Sequence, residues 1–160
     1  SIDHISVIVN SGASQKLNNG SSMLVDIIEG TNRVTAIAYD NKSLADPTPA
    51  EYSFVSPTES QAEAMISGYL TTNSSSYKKF ERDAPLSLGE SEGFYVDFLI
   101  TKLNNTNAVI NYVDHKENLT QESANQKLLA LFGIPSLYLV RLPENEMRSR
   151  LNIFKGKGFN

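Results

Sequence analysis

The chain has no cysteine and no tryptophan. Without cysteine there are no disulfides, no thiolate metal sites and no cysteine nucleophile. Charge is scarce as well, at 20% of residues, with a net charge of −4. That balance leaves no general phosphate-binding field, so no nucleic-acid partner is expected. The basic residues Arg141, Arg148, Arg150, Lys155 and Lys157 cluster near the C-terminus with Glu144 and Glu146 among them. They read as a solvated end. No stretch approaches the ~20 apolar residues that span a bilayer. There are two histidines, His4 beside Asp3 and His115 beside Asp114. A hydrolase triad needs one of them near a nucleophilic serine and a carboxylate. No G-x-S-x-G elbow exists, and Ser87 and Ser91 flank Gly89 without a strand-to-helix turn.

What is present fits one globular domain over residues 1–160, with 40% hydrophobic residues. Asn, Ser and Thr make up roughly a quarter of the chain, as is common in exported proteins. Five N-x-S/T sites, at Asn19, Asn41, Asn73, Asn104 and Asn118, read as accidents of that composition. The chain opens in a strand without a Met, which suggests a mature or trimmed domain whose signal segment is gone.

Alternation predicts a first strand over Ile5–Val9. Asn10–Ser22 reads as a long polar loop, with Gly12 and Asn18-Asn19-Gly20 as turn residues. Met23–Glu29 and Arg33–Tyr39 read as a hairpin. Tyr52–Val55 is a short strand. Ser56, Pro57 and Glu59 spell a helix start. Ala62, Met65, Ile66, Tyr69 and Leu70 then follow at helical spacing, so that stripe should pack on the chain's own sheet. Asp83–Gly93 reads as loop, with Pro85, Gly89 and Gly93. Phe94–Leu103 is the strongest strand, and Ala108–Val113 follows it. A second helix is capped by Asn118 or Thr120, lined by Ala124, Leu128, Leu131 and Phe132, and stopped by Gly133. Ser136–Leu142 is a strand, and Leu151–Phe154 a short last one. Hairpins dominate without βαβ alternation. The expected class is therefore mainly β: a two-sheet antiparallel β-sandwich with two helices, near 57–70 and 119–132.

The candidates for chemistry are few. Asp114-His115 with Glu117 is the densest group of potential metal ligands, but it reads as a solvated loop. Glu59 and Glu63 share a helix face near a positive N-terminus. Asp97 sits among apolar residues in the strongest strand and reads as pointing to solvent. Gly89–Gly93 lacks the Lys-Ser/Thr of a phosphate-binding loop, and its two carboxylates would repel phosphate. The expectation is no catalytic residue, no metal and no cofactor.

Three segments resemble a family. Ile5–Val9, a loop ending Leu17-Asn18, and Gly20–Ile28 are similar to the opening of the TssJ-type lipoproteins of type VI secretion. Leu86-Ser87-Leu88-Gly89-Glu90-Ser91 resembles that family's L-x-P-G-E-S turn, with Leu88 for Pro. Ala108–Val113 resembles its late strand. Two departures stand out: Ile28-Glu29-Gly30 replaces the usual Tyr-Gln-Leu, and the tail after Tyr112 is long. The resemblance implies a transthyretin-like sandwich, periplasmic and tethered to the outer membrane by a lipid on a Cys upstream of Ser1. It implies a non-catalytic scaffold that holds the periplasmic domain of an inner-membrane secretion subunit. The contact would run through Ser11, Ser14, Gln15, Lys16, Leu17, Asn18, Asn19 and Gly20. The competing readings are an interaction module of a pilus, conjugation or phage-tail assembly, and a hydrolase or enzyme inhibitor.

Overall fold

The computed structural model describes residues 1–89, 91–113 and 118–159, the side chains of Ser91 and Glu92 excepted. Over these residues the chain is mainly β, with two four-stranded sheets and three helices. It divides into two compact units, Ser1–Ser56 and Pro57–Asn160.

The first unit is an antiparallel sheet of β1 (Ile2–Val9), β2 (Gln15–Asn18), β3 (Gly30–Asp40) and β4 (Ala50–Ser56), in the order β2-β1-β3-β4. The expected polar loop is thus largely a strand. Asn10 and Ser11 have φ of 50° and 60°, and Gly12 N donates to Val9 O at 2.9 Å. Two left-handed central residues make the tight turn whose twist suits a hairpin, which folds Gln15–Asn18 back onto β1. Met23–Glu29 lies outside any strand, so the expected hairpin with β3 does not form. Its alternation is real, since Met23, Val25 and Ile27 are half-buried between exposed neighbours. Asn32 instead fixes the end of this segment. It is fully buried, accepts from Ile28 N and Asn10 Nδ2, and donates to the carbonyls of Ile28 and Gly30. One amide thereby satisfies groups that a ladder would otherwise have used.

The second unit is built as α1 (Glu59–Thr72), β5 (Lys79–Leu88), β6 (Ser91–Thr101), β7 (Asn107–Val113), α2 (Leu119–Leu131), β8 (Ser136–Val140) and α3 (Glu144–Gly158), with a 3₁₀ turn at Ser74–Ser76. Its sheet has the order β5-β6-β7-β8. β7 and β8 pair in parallel through α2, so the unit holds a βαβ crossover, and the expected all-antiparallel pattern is corrected.

α1 buries the expected stripe: Ala62, Met65, Ile66, Tyr69 and Leu70. Its capping box is Thr58 with Gln61, not Ser56 with Glu59, because Ser56 still belongs to β4. The loop expected over Asp83–Gly93 is mostly β5. Pro85 is tolerated there because β5 is an edge strand. α2 ends as expected at Gly133, with φ of 70°, where Ile134 N reaches Leu129 O and Gly133 N reaches Ala130 O. Its expected apolar stripe is outside, however. Leu128, Leu131 and Phe132 are exposed, and Leu129 is its one buried residue. The expected short strand at Leu151–Phe154 is part of α3. Met147, Leu151, Phe154 and Gly158 are its buried face, Glu144 and Glu146 begin it, and Lys155 and Lys157 end it, in accord with the helix dipole.

Two apolar clusters lie on opposite faces of this sheet. One joins α1 and α3 to Phe98, Ile100, Ala108, Ile110 and Leu139. The other joins Leu129 of α2 to Ala84, Leu86, Leu88, Val96 and Val109. Simple alternation would keep Val96, Phe98 and Ile100 on one face, and Phe80 with Ala84 and Leu86. They divide instead. Phe80 packs on the first cluster while Ala84 and Leu86 are in the second. The turnover falls at Asp83, whose φ of 47° is left-handed, and at Asp97 across from it.

Candidate functional site

β7 runs into α2 on one face of the sheet, and β8 runs into α3 on the other. Where neighbouring parallel strands send the chain to opposite faces, a crevice opens at their carboxyl ends. The register Phe98↔Ile110 places Asp97 beside Asn111, in the last half of β7. Asp97 therefore stands on the neighbouring strand beside the middle of the parallel pair, short of its carboxyl end.

Its side chain is held from several sides. The Asp97 carboxylate accepts the Tyr112 N–H at 2.6 Å. The Asp97 N–H donates to Asn111 Oδ1 at 2.9 Å, and Asn111 Nδ2 donates to Glu122 Oε2 at 3.2 Å. Asn111 is buried and Glu122 lies in the first turn of α2. The amide thus ties a mid-sheet aspartate to a helix glutamate. Burial, the largest cause, raises the pKa of Asp97 above the ordinary carboxylate value, against the pull of the Tyr112 N–H. The negative charges of Glu122, Glu63 and Asp83 add to the rise. Glu63 is turned to Arg82 at 2.7 Å, and the Arg82 guanidinium lies 5.7 Å from the centre of the Phe98 ring.

The remaining sequence candidates are spread out. Ser87 is exposed on β5. His4 stacks on Tyr39 at 4.8 Å and bonds Asp3. His115, Asp114 and Glu117 lie outside the described residues. Among the described residues no group of three or more His, Asp or Glu side chains is arranged to hold a metal ion. Of the expected docking loop, Ser11 is in the turn, Ser14 meets the Ser6 hydroxyl, and Gln15, Lys16, Leu17 and Asn18 form β2. Asn19 and Gly20 follow, with Gly20 at φ of 80°. An open pocket of about 370 Å³ borders Ile2, Tyr39, Asp40 and Asp46. The Oδ1 atoms of Asp40 and Asp46 are already bonded to amides of their own turns. Asp97 reads in sequence as one member of an alternation. The signal that could have singled it out is the acidic-basic run Asp114-His115-Lys116-Glu117 directly after β7.

No family model and no curated protein matches the chain. The chain is similar to one solved structure, "Structure of EndoMS-dsDNA2 complex", at 12% identity, over 97% of this chain and 82% of that one, with a TM-score of 0.29. So distant a likeness carries no positive argument. By its title that neighbour is a complex with dsDNA, and two expectations of absence are withdrawn on it. That the protein is not an enzyme, and that it has no nucleic-acid partner, are both corrected: neither exclusion is retained. No helix among the described residues is long and apolar enough to cross a membrane.

Proposed function

We propose that the second unit is an enzyme, a cation-assisted hydrolase of phosphate esters organised around Asp97. One observation carries the reading: a half-buried mid-sheet carboxylate of raised pKa, beside the parallel pair, accepts the Tyr112 N–H and is tied through Asn111 to Glu122. Perturbed carboxylates cluster at reacting centres. Glu122, Glu63 and Asp83 press negative charge on this one. A divalent cation relieves that repulsion, since charge of opposite sign favours the ionised carboxylate. Such a cation would polarise a phosphoryl oxygen and would make bound water a nucleophile near neutral pH.

Asp97 and Glu122 are the described side chains that would face it. The run after β7 offers Asp114 and Glu117 as further oxygen donors in sequence, and Lys116 as a positive charge for the developing oxyanion. Asn111 keeps the two described carboxylates in register.

The test is cleavage of single- and double-stranded oligonucleotides and of a nitrophenyl phosphodiester, with Mg²⁺ or Mn²⁺ added, alongside calorimetric titration of the cation. Asp97→Asn should reduce turnover by about a hundredfold or more and weaken cation binding, with the fold intact. Asp114→Asn should do the same. Turnover that survives Asp97→Asn, or a wild-type chain that neither binds the cation nor cleaves any of these esters, removes the reading.

A further inference from the structure

The two edges of the first unit's sheet are unlike. β2 is four residues long and carries Lys16. β4 runs for seven residues in unbroken register, from Gly30↔Ser56 to Ala36↔Ala50. It has no proline, no lysine and no bulge. Tyr52 and Val55 are 56% and 66% exposed, although they lie on opposite faces. Natural edge strands are normally blunted by charge, proline or a bulge, because an open edge offers a row of N–H and C=O groups to any extended chain. β4 has one charge, Glu51, and Arg33 on β3 pairs with it.

We infer that β4 is a docking edge for a second copy of this chain. Two β4 strands pair antiparallel about a two-fold axis and join two four-stranded sheets into one continuous sheet. Three features of the strand select a copy of itself as the occupant. A two-fold axis makes strand-to-strand pairing antiparallel by symmetry, the pattern the rest of this sheet already has. An axis at Ser53 sets Tyr52 of each copy opposite Phe54 of the other, an aromatic cross-strand pair of the kind that stabilises sheets. Within one strand these two rings already lie 5.3 Å apart, so the dimer would have four rings on one face. The same axis sets Glu51 opposite Val55, so like charges do not meet. Nucleic acid is the poorer occupant, since Ser1–Ser56 carries six acidic against three basic residues. The inference does not depend on the hydrolase reading.

The full chain is to be followed by analytical ultracentrifugation from nanomolar to high micromolar concentration. The expected result is a reversible monomer–dimer equilibrium. Ser53→Lys sets two ammonium groups across the axis and should raise the dissociation constant by about tenfold or more. Gln15→Lys, on the other edge, should leave it unchanged. Hydrogen exchange of the wild-type chain gives a readout that does not depend on a variant folding: the β4 amides should exchange more slowly as dimer accumulates, and the β2 amides should not. A monomer at every concentration overturns the inference. So does a dimer whose β4 amides gain no protection, and so does a folded Ser53→Lys chain that dimerises as well as wild type.

Discussion

The two units solve the problem of burial in different ways. Among the described residues, the second holds 22 of the 23 buried hydrophobic ones, and the first holds Val7 alone. What the first unit buries fully is polar, the Asn32 amide and Ser56. The second unit is therefore held by apolar area on both faces of its sheet. The first is held by backbone ladders and by one polar hub that must satisfy its own hydrogen bonds. A sheet can be regular and continuous without owning a core.

The contrast can be broken by substitution. Phe98 is fully buried in the larger cluster. Phe98→Ala should cost about 3–5 kcal/mol in denaturant unfolding followed by a probe in the second unit. Val7→Ala should cost no more than about 1.5 kcal/mol, the transfer value of its lost methyl groups. Equal losses at the two sites would erase the distinction. Next in size is Asn32→Ala, which leaves the Ile28 N–H, the carbonyls of Ile28 and Gly30, and the Asn10 amide without their partner. It should cost about 1–3 kcal/mol and speed exchange at Ile28. In the first unit, then, the polar deletion should exceed the apolar one. If Val7→Ala proves the worse, the hub is ornamental.

Two smaller changes sharpen the picture. Ser11 sits at φ of 60° in the β1–β2 turn. Ser11→Gly relieves the steric cost of a left-handed L-residue and should stabilise the chain by a few tenths to about 1 kcal/mol, read as a raised melting temperature. Asp97 is the converse case, a group whose burial opposes folding. Its folded pKa lies above the ordinary 3.8. Its favourable contribution is thus fully present below that value and is lost as pH rises through the folded pKa. At neutral pH Asp97→Asn should leave stability unchanged or slightly higher, and the gain should vanish in acid. Paired with a loss of turnover, that would mark Asp97 as a residue kept at the expense of stability.

How legible each part was depended on how local its cause is. The α1 stripe and the Phe94–Leu103 strand follow from spacing alone; the stripe formed, and the strand formed as Ser91–Thr101. So did the stop at Gly133, which needs only one left-handed residue. β5 was hidden by Asp83 and Pro85, two residues that argue against a strand unless it is known to be an edge. α3 was hidden because Leu151–Phe154 is a short apolar run by itself, and its helical spacing shows only with Met147, one turn earlier. Met23–Glu29 reads as a strand by its own pattern, and lacks only a neighbour to pair with. The Asp97 site was least legible. Its partners come from β7 and α2, so it exists only once register and crossover are set.

The left-handed residue at Asp83 has a mechanical consequence. Because β5 turns over there, one strand supplies Phe80 to one cluster and Leu86 to the other. Neither layer can loosen without dragging on the strand that the other one grips. The second unit should accordingly melt as a single cooperative block, its two layers sharing one transition and one protection threshold in native-state exchange. Relaxing that one kink, by a residue at ease with the geometry, would leave the block whole. A residue that forced Asp83 back into ordinary extended geometry would aim Leu86 and Leu88 at the wrong side of the sheet, and the two layers would come apart together.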